Sequence, residues 1–146
     1  MGLALAEARL ALNHDDVPIG AIVVSPSGEI LASRHNEREL TKDPTAHAEV
    51  LALRDAAEKL GEWRLYDCTL VVTLEPCAMC AGALTNARIG RVVFGAEDPK
   101  AGACGSLYNL AVDPRLNHTF EVQGRGMADE CAELLTTLFS GLRDRQ

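Results

Sequence analysis

The chain has 146 residues, of which 47% are hydrophobic, and a formal net charge of −7. This length fits one globular domain with a single core, and the hydrophobic fraction excludes a mostly disordered chain. No apolar run approaches the roughly 20 residues that a membrane span requires, and the acidic charge does not favour non-specific binding to nucleic acids.

The first part of the chain predicts a helix followed by a β-hairpin. Residues 1–14 form a mostly apolar helix that contains Glu7 and Arg9. These charges interrupt the apolar stretch, which argues against a signal peptide. We therefore expect a cytoplasmic protein. Residues 19–25 and 30–33 are rich in β-formers and flank a Pro-Ser-Gly turn signal.

Asp43 and Pro44 predict the start of the next helix, which runs to about residue 60. Asp is a favoured N-cap, and Pro is a favoured first helical residue. A Val- and Thr-rich segment then predicts a buried strand, after which Pro76 opens another helix. This strand spans residues 69–74, and the helix spans residues 76–87. Further strands are predicted at residues 91–94 and 119–123, and the last helix at residues 129–142.

This alternation of helices and strands predicts a layered α/β fold. The strands at 69–74 and 91–94 flank one helix, so they should be parallel and joined by a right-handed crossover. The first two strands should be antiparallel, which makes the sheet mixed. Ligands in such folds bind outside the carboxyl ends of parallel strands, and residues 75–80 lie at such an end.

Cys77 and Cys80 form the one close pair among the five cysteines of the chain. An odd cysteine count with one close pair favours a metal or catalytic site over a disulfide framework. A spacing of three at the start of a helix places both sulfurs on one face, and the helix N-terminus favours thiolates. A redox pair would need a thioredoxin-like setting, and a four-ligand structural zinc site would need a second close pair. The sequence has neither, so a catalytic metal site is favoured.

His47 is the best third ligand among the four histidines, because Glu49 follows it closely and small residues flank it. Two thiolates and one imidazole around zinc leave a fourth position open, as in catalytic sites. Glu49 lies two residues after His47, so the pair differs from the His-Glu-x-x-His pattern of metalloproteases. Zinc lowers the pKa of a bound water towards about 7, and an adjacent carboxylate can shuttle its proton. We therefore predict Glu49 as the catalytic residue, and His47, Cys77 and Cys80 as ligands of one Zn²⁺.

His-x-Glu followed by Pro-Cys-x-x-Cys is the signature of zinc-dependent hydrolytic deaminases. The chemistry is addition of hydroxide to an amidine-like ring carbon, followed by loss of ammonia. On these motifs and their surroundings, the chain resembles the bacterial tRNA-specific adenosine deaminases over nearly its whole length. The motifs that carry the resemblance are VPIGA at 17–21, DPTAHAE at 43–49, TLEPCAMCAGA at 73–83, RIGRVVFGA at 88–96, GACGSL at 102–107 and ADEC at 128–131.

The resemblance implies a hydrolase that converts adenosine at the tRNA wobble position to inosine. It implies one zinc-dependent deaminase domain spanning residues 1–146, with a three-layer α/β/α cytidine-deaminase-like fold. The fold has a mixed five-stranded sheet with helices on both faces. The implied partners are a tRNA anticodon stem-loop and a second copy in a homodimer, with one Zn²⁺ per subunit and no membrane. The family usually has further residues before the position of Met1 and a longer, more basic C-terminal helix.

The resemblance also implies residues that bind the substrate. Asn36 would hydrogen-bond the flipped nucleoside, and Asp98 and Lys100 would lie where the RNA backbone enters. Ala48 and the pair Leu74 and Glu75 would line the base pocket. Because the chain is acidic, RNA affinity is expected to depend on a local basic path, for which the candidates are Arg88, Arg91, Lys100, Arg115, Arg125, Arg143 and Arg145.

Two alternative functions remain open from the sequence. The first is a deaminase with the same zinc chemistry that acts on a free base or nucleoside of the guanine or cytosine type, since substrate choice depends on pocket shape and flanking contacts. The second is a non-catalytic zinc-binding interaction domain. Cys68, Cys104 and Cys131 are expected only to pack in the interior.

Overall fold

The computed structural model describes residues 1–144, which form one five-stranded sheet with helices on both faces. A short 3₁₀ turn at Ala11–His14 follows the first helix. The helices are α1 (Gly2–Leu10), α2 (Arg38–Thr41), α3 (Ala48–Leu60), α4 (Ala78–Asn86) and α5 (Ala128–Asp144). The strands are β1 (Gly20–Val24), β2 (Ile30–His35), β3 (Thr69–Leu74), β4 (Arg91–Ala96) and β5 (Glu121–Gln123).

The sheet has the strand order β2-β1-β3-β4-β5. Strand β1 runs antiparallel to both β2 and β3, whereas β3, β4 and β5 are mutually parallel. In the β3–α4–β4 unit, Val71 lies opposite Val93 and Leu74 opposite Ala96. The predicted mixed sheet, the antiparallel hairpin and the parallel β3 and β4 strands are therefore confirmed.

Neighbouring residues of the central strands show that helices cover both faces of the sheet. Ala21 and Val23 of β1 belong to the main core, together with Ala52 of α3. Gly20 faces the opposite way, since a Cβ there would collide with the backbone of Ala4 in α1. Because successive strand residues point to opposite faces, α1 and α3 lie on opposite sides of the sheet.

The same alternation in β4 places the last helix. Phe94 packs into the main core, whereas a Cβ on Gly95 would collide with Cys131 of α5. A second cluster joins Cys131 to Leu5 of α1 and Ala96 of β4. Helices α1 and α5 therefore share one face, and α3 covers the other.

The start predicted at Asp43 and Pro44 for the helix that the structure shows as α3 was wrong. The carboxylate of Asp43 accepts hydrogen bonds from the backbone N–H and the hydroxyl of Thr45, both at 2.8 Å, so it caps a tight turn instead of a helix. Helix α3 begins at Ala48, with His47 as its N-cap in an extended conformation (φ −74°, ψ 147°). Likewise α4 begins at Ala78, after the N-cap Cys77, and not at Pro76.

Helix α2 was not predicted, because four residues are too few to show a helical period. Its first turn is capped by a residue far away in the sequence, because the Asp16 carboxylate accepts the backbone N–H of Glu39 at 2.9 Å. None of the helices in residues 1–144 is long and apolar enough to cross a membrane.

Candidate active site

Three predicted ligand residues meet where the N-termini of α3 and α4 lie beside the carboxyl end of β3. His47 is the N-cap of α3, Cys77 is the N-cap of α4, and Cys80 lies in the first turn of α4. His47 Nδ1 is 3.7 Å from Cys77 Sγ and 3.5 Å from Cys80 Sγ. One nitrogen and two sulfurs, all within 4.8 Å of one another, thus converge on one point.

These distances fit a zinc ion. Zinc bonds of about 2.3 Å to sulfur and about 2.0 Å to nitrogen, at tetrahedral angles, place nitrogen and sulfur ligands about 3.5 Å apart. The two nitrogen–sulfur separations of 3.5 and 3.7 Å match this value. Within the part of the chain that the structure describes, this is the one cluster of three metal-ligating residues. The residues present are therefore compatible with a three-ligand zinc site.

Of the two cysteines, Cys77 is the one whose electrostatics favour a thiolate, whereas the hydrogen bond with Cys77 and burial raise the pKa of Cys80. Hydrogen bonds donated by the neighbouring Cys80 thiol and by the His47 ring lower the pKa of Cys77 to about 4, although burial opposes the shift. A thiolate at a helix N-terminus is further stabilised by the backbone dipoles. Cys77 is therefore deprotonated at neutral pH, as a metal ligand must be.

Glu49 is buried beside this cluster, with only 4% of its surface exposed. Its Oε1 is the one buried side-chain nitrogen or oxygen among the described residues that has no hydrogen-bond partner. Burial raises the pKa of the Glu49 carboxyl above its ordinary value. Since buried polar atoms are almost always paired, an unpaired carboxylate oxygen beside three ligands marks a place where a further group is bound.

The cluster lies in a cavity of about 440 Å³. Most of the predicted residues line it: Asn36, His47, Glu49, Leu74, Glu75, Cys77, Asp98 and Lys100. A larger, open cavity of about 830 Å³ lies along β4 and β5, but of the predicted site residues it contains only Arg91, a candidate for the basic path. The chemistry of the side chains, and not the size of the cavity, therefore locates the candidate active site.

Ala48 does not line the cavity with its side chain, in contrast to the prediction. The methyl group is fully buried in the main core. The backbone N–H of Ala48 instead donates to Asn36 Oδ1 at 2.8 Å. Asn36 is therefore oriented by the first turn of α3, and its amide Nδ2, which makes no hydrogen bond among the described residues, is left to donate into the cavity.

Glu75 lines the cavity, but its carboxylate is occupied by a loop of the same chain. It accepts the backbone N–H groups of Asp98 (3.1 Å), Cys104 (3.0 Å) and Ser106 (3.0 Å), and also the Ser106 hydroxyl. Burial raises the pKa of Glu75, but these hydrogen bonds outweigh it and the net shift is downward. Glu75 thus anchors the loop that carries Asp98 and Lys100.

The same loop is braced against a predicted metal ligand. Gly102 forms a β-bridge with Cys77, and Ala103 N–H donates to the carbonyl of Pro76 at 2.8 Å. The carboxylate of Asp98 accepts the backbone N–H groups of Lys100 (3.1 Å) and Ala101 (3.2 Å), which makes a tight turn at the cavity rim.

Sequence reasoning missed several residues of the cavity wall. Arg38 is half-exposed at the rim, and Leu135 and Phe139 reach the cavity from α5. The remaining unpredicted lining residues are Val17, Ile19, Glu97 and Ala101. For Arg38, the only signal in the sequence was its position two residues after Asn36.

The expected basic path is only partly present near the site. Lys100 is the one member that lines the cavity among the described residues. Arg115 pairs with Asp113 at 2.7 Å, and Arg125 pairs with Glu97 at 3.5 Å. Arg88 lies over the Trp63 ring, 5.7 Å from its centre. Arg145 lies outside the described residues.

Comparison with known proteins identifies the family. A family model described as MafB19-like deaminase matches residues 1–143. The tRNA-specific adenosine deaminase of Bacillus subtilis (strain 168) is 47% identical over 143 residues, which cover 98% of this chain and 88% of that protein. The chain belongs to the family of tRNA-specific adenosine deaminases. The resemblance seen in the sequence is thereby confirmed.

Solved structures of deaminases share this fold. One from studies of A-to-I editing by tRNA deaminases at the wobble position of transfer RNA matches with a TM-score of 0.88 and 45% identity, covering 92% of this chain and 96% of that chain. The guanine deaminase of Nitrosomonas europaea matches with a TM-score of 0.81 and 26% identity, covering 95% of this chain and 82% of that chain. The predicted cytidine-deaminase-like architecture of the tRNA-specific adenosine deaminase family is confirmed.

Proposed function

We propose that this protein hydrolyses adenosine to inosine at the wobble position of tRNA. The observation that carries the proposal is the unpaired, buried Oε1 of Glu49 beside the His47, Cys77 and Cys80 cluster. This arrangement offers three metal ligands and a separate carboxylate for proton transfer, which is the division of labour that zinc deamination needs. Family membership and the wobble-editing structural relative support tRNA as the substrate.

The proposed zinc site has one Zn²⁺ per subunit, held by His47, Cys77 and Cys80. When bound in an open three-ligand site, zinc supplies an activated water at neutral pH. Glu49 accepts a proton at Oε1 and delivers it to the leaving amine, since its carboxylate faces the cavity and is held by the first turn of α3. Burial, which raises the pKa of Glu49, favours such a proton carrier.

The remaining cavity residues bind and orient the nucleotide. Asn36 donates from Nδ2 to the nucleoside, because its Oδ1 is already engaged by Ala48 N–H. Arg38 and Lys100 are the two cationic side chains of the cavity wall, and both are placed to contact backbone phosphates. Leu74 supplies apolar surface beside the base, and Glu75 and Asp98 hold the rim loop in shape.

Other properties implied by the family resemblance stay predictions. We propose that the chain is one deaminase domain that acts as a homodimer in the cytoplasm. Light scattering coupled to size-exclusion chromatography measures the subunit count. A stable monomer at the concentrations used for catalysis would contradict the homodimer.

The decisive experiment is inosine formation in an anticodon stem-loop that has adenosine at the wobble position. Purified wild-type protein is compared with Glu49→Ala, and the zinc content of both proteins is measured. We expect inosine with the wild type alone and the same zinc content in both. A wild type that forms no inosine contradicts the proposal.

The similarity to guanine deaminase gives one alternative a specific basis. Ammonia release from guanine, cytosine or free nucleosides, without inosine in the stem-loop, would keep the zinc chemistry and move the substrate to a small molecule. A protein that binds zinc but deaminates none of these compounds would instead be a non-catalytic zinc-binding domain.

A further inference from the structure

Arg38 is held in place by a carboxylate from a distant part of the chain. The Asp16 side chain is fully buried, and its Oδ1 accepts hydrogen bonds from Nε (3.3 Å) and Nη2 (3.2 Å) of Arg38. The same carboxylate accepts the backbone N–H of Val17 at 2.8 Å and that of Glu39 at 2.9 Å. With both oxygens engaged, Asp16 has one orientation and fixes the first turn of α2 together with Arg38.

The segment around Arg38 is also tied directly to the candidate active site. The Asn36 backbone N–H donates to the backbone carbonyl of Ile19 at 3.2 Å, and the Glu37 backbone N–H donates to that of Ala46 at 3.0 Å. Asn36 Oδ1 in turn accepts the N–H of Ala48, which stands between His47 and Glu49 in the chain. A displacement of Arg38 relative to the cavity is therefore resisted by the bonds of the two residues that precede α2.

The guanidinium of Arg38 keeps free hydrogen-bond donors. An arginine has five N–H donors, and Asp16 engages Nε and one N–H of Nη2. The side chain is 36% exposed and lines the cavity. Arg34 provides a contrast, because it is paired with both Glu37 and Asp55 and does not line the cavity.

We propose that Asp16 is a positioning residue, which holds the planar guanidinium of Arg38 at the cavity rim ready to receive a phosphate of the RNA backbone beside the target adenosine. This inference rests on the proposed function. A fixed guanidinium recognises phosphate with defined geometry and loses less side-chain entropy on binding than a mobile one. Asp16 therefore contributes to RNA binding without contacting RNA.

The test is a double-mutant cycle on inosine formation in the wobble-adenosine stem-loop. KM and kcat are measured for the wild type, Asp16→Asn, Arg38→Met and the double variant. We expect Arg38→Met to raise KM about tenfold with kcat changed less than about twofold, since one charge-assisted hydrogen bond is lost. Asp16→Asn should raise KM severalfold, and the double variant should match Arg38→Met, because no guanidinium is left to position.

Two further measurements separate positioning from general charge. Arg38→Met should make the negative slope of log(kcat/KM) against log salt shallower by about 0.7, the value for one phosphate contact to a single strand. Arg64→Met removes the same charge from an exposed site that was not a candidate for the basic path and does not line the cavity, and it should leave KM unchanged. Arg38→Lys keeps the charge but not the planar guanidinium, so its KM should approach that of Arg38→Met.

Several outcomes would overturn the inference. If Asp16→Asn raises KM equally with and without Arg38, Asp16 acts through the fold and not through Arg38. If Arg38→Met leaves KM unchanged, or Arg38→Lys restores the wild-type KM, a positioned guanidinium is not needed. Should Asp16→Asn fail to fold, Asp16→Glu replaces it in the cycle, because it keeps a carboxylate but displaces it by one methylene group. A wild type that forms no inosine refutes the proposed function itself, and the inference falls with it.

Discussion

The side-chain oxygen of Asn36 accepts the backbone N–H of Ala48 at 2.8 Å, and this bond joins the end of β2 to the first turn of α3. Asn36 is 1% exposed, so the bond forms away from water. Ala48 lies between His47 and Glu49 in the chain. One hydrogen bond therefore orients both the amide Nδ2 of Asn36 and the helix start that carries His47 and Glu49.

Replacement of Asn36 by Ala should reduce both stability and activity. It leaves the Ala48 N–H buried and unpaired, which costs about 1–3 kcal/mol in the free energy of unfolding. It also removes the donor to the nucleoside, so kcat/KM should fall by about tenfold or more. Urea denaturation and stem-loop kinetics measure the two effects. Asn13→Ala, at an exposed position, is the control and should change neither.

Metal retention should separate the ligands from the proton carrier. His47→Ala and Cys77→Ala each remove one of three ligand atoms, so both should lose zinc and activity together. Glu49→Gln preserves all three ligands and should keep stoichiometric zinc while kcat falls by about 10²-fold or more. Elemental analysis of the purified proteins gives the zinc content. Full zinc occupancy in His47→Ala would contradict the assigned ligands.

Gly102→Ala should damage the rim loop. A Cβ at this position collides with the Glu75 carboxylate and lies 2.6 Å from the carbonyl oxygen of Asp98. Overpacking of this kind costs about 1–3 kcal/mol, and here it also displaces the strand bridge to Cys77. We expect a lower denaturation midpoint and lower kcat/KM.

Gly82→Ala is the matched control for Gly102→Ala. Gly82 lies within α4, and a Cβ there has nothing within 4 Å. Because Ala is favoured over Gly in a helix by about 1 kcal/mol, this variant should be slightly more stable than the wild type. Equal stability changes in the two variants would argue against a tight contact at Gly102.

The stabilising effect of Asp16 should depend on pH. Burial raises the pKa of Asp16, but hydrogen bonds from Glu39, Val17 and Arg38 outweigh it, so the net pKa lies below the ordinary value of 3.8. A carboxyl with a lowered pKa stabilises the fold above its ordinary pKa, and this stabilisation is lost as the pH falls through the lowered value. Asp16→Asn should therefore be less stable than the wild type at pH 7, and the difference should shrink well below pH 3.8. Denaturant titrations at both pH values measure this difference in stability. A difference that grows as the pH falls would contradict the lowered pKa of Asp16.

Much of the site followed from local sequence. Cys77 and Cys80, the predicted ligands, lie on one helix turn, and the pairing of His47 with Glu49 belongs to a short motif. Chemistry fixes such spacings, because three ligands and one proton carrier must surround one ion. The β3–α4–β4 unit followed in the same way from hydrophobic periods and helix signals. One local signal failed at Asp43: its side chain caps a single turn, and the chain then becomes extended at His47 before α3 begins.

The sequence by itself determined the class of fold and the family and predicted the ligand set, because the motifs that carry them have spacings of a few residues. Only the tertiary structure decided which side chains face the cavity. It buried the side chain of Ala48, turned Glu75 towards its own loop and brought Phe139 of α5 to the cavity. It also joined Asp16 to Arg38 across 22 residues of sequence. Such contacts depend on how the helices pack on the sheet and on the direction of each side chain. Neither can be predicted from residue spacings within a short segment of sequence.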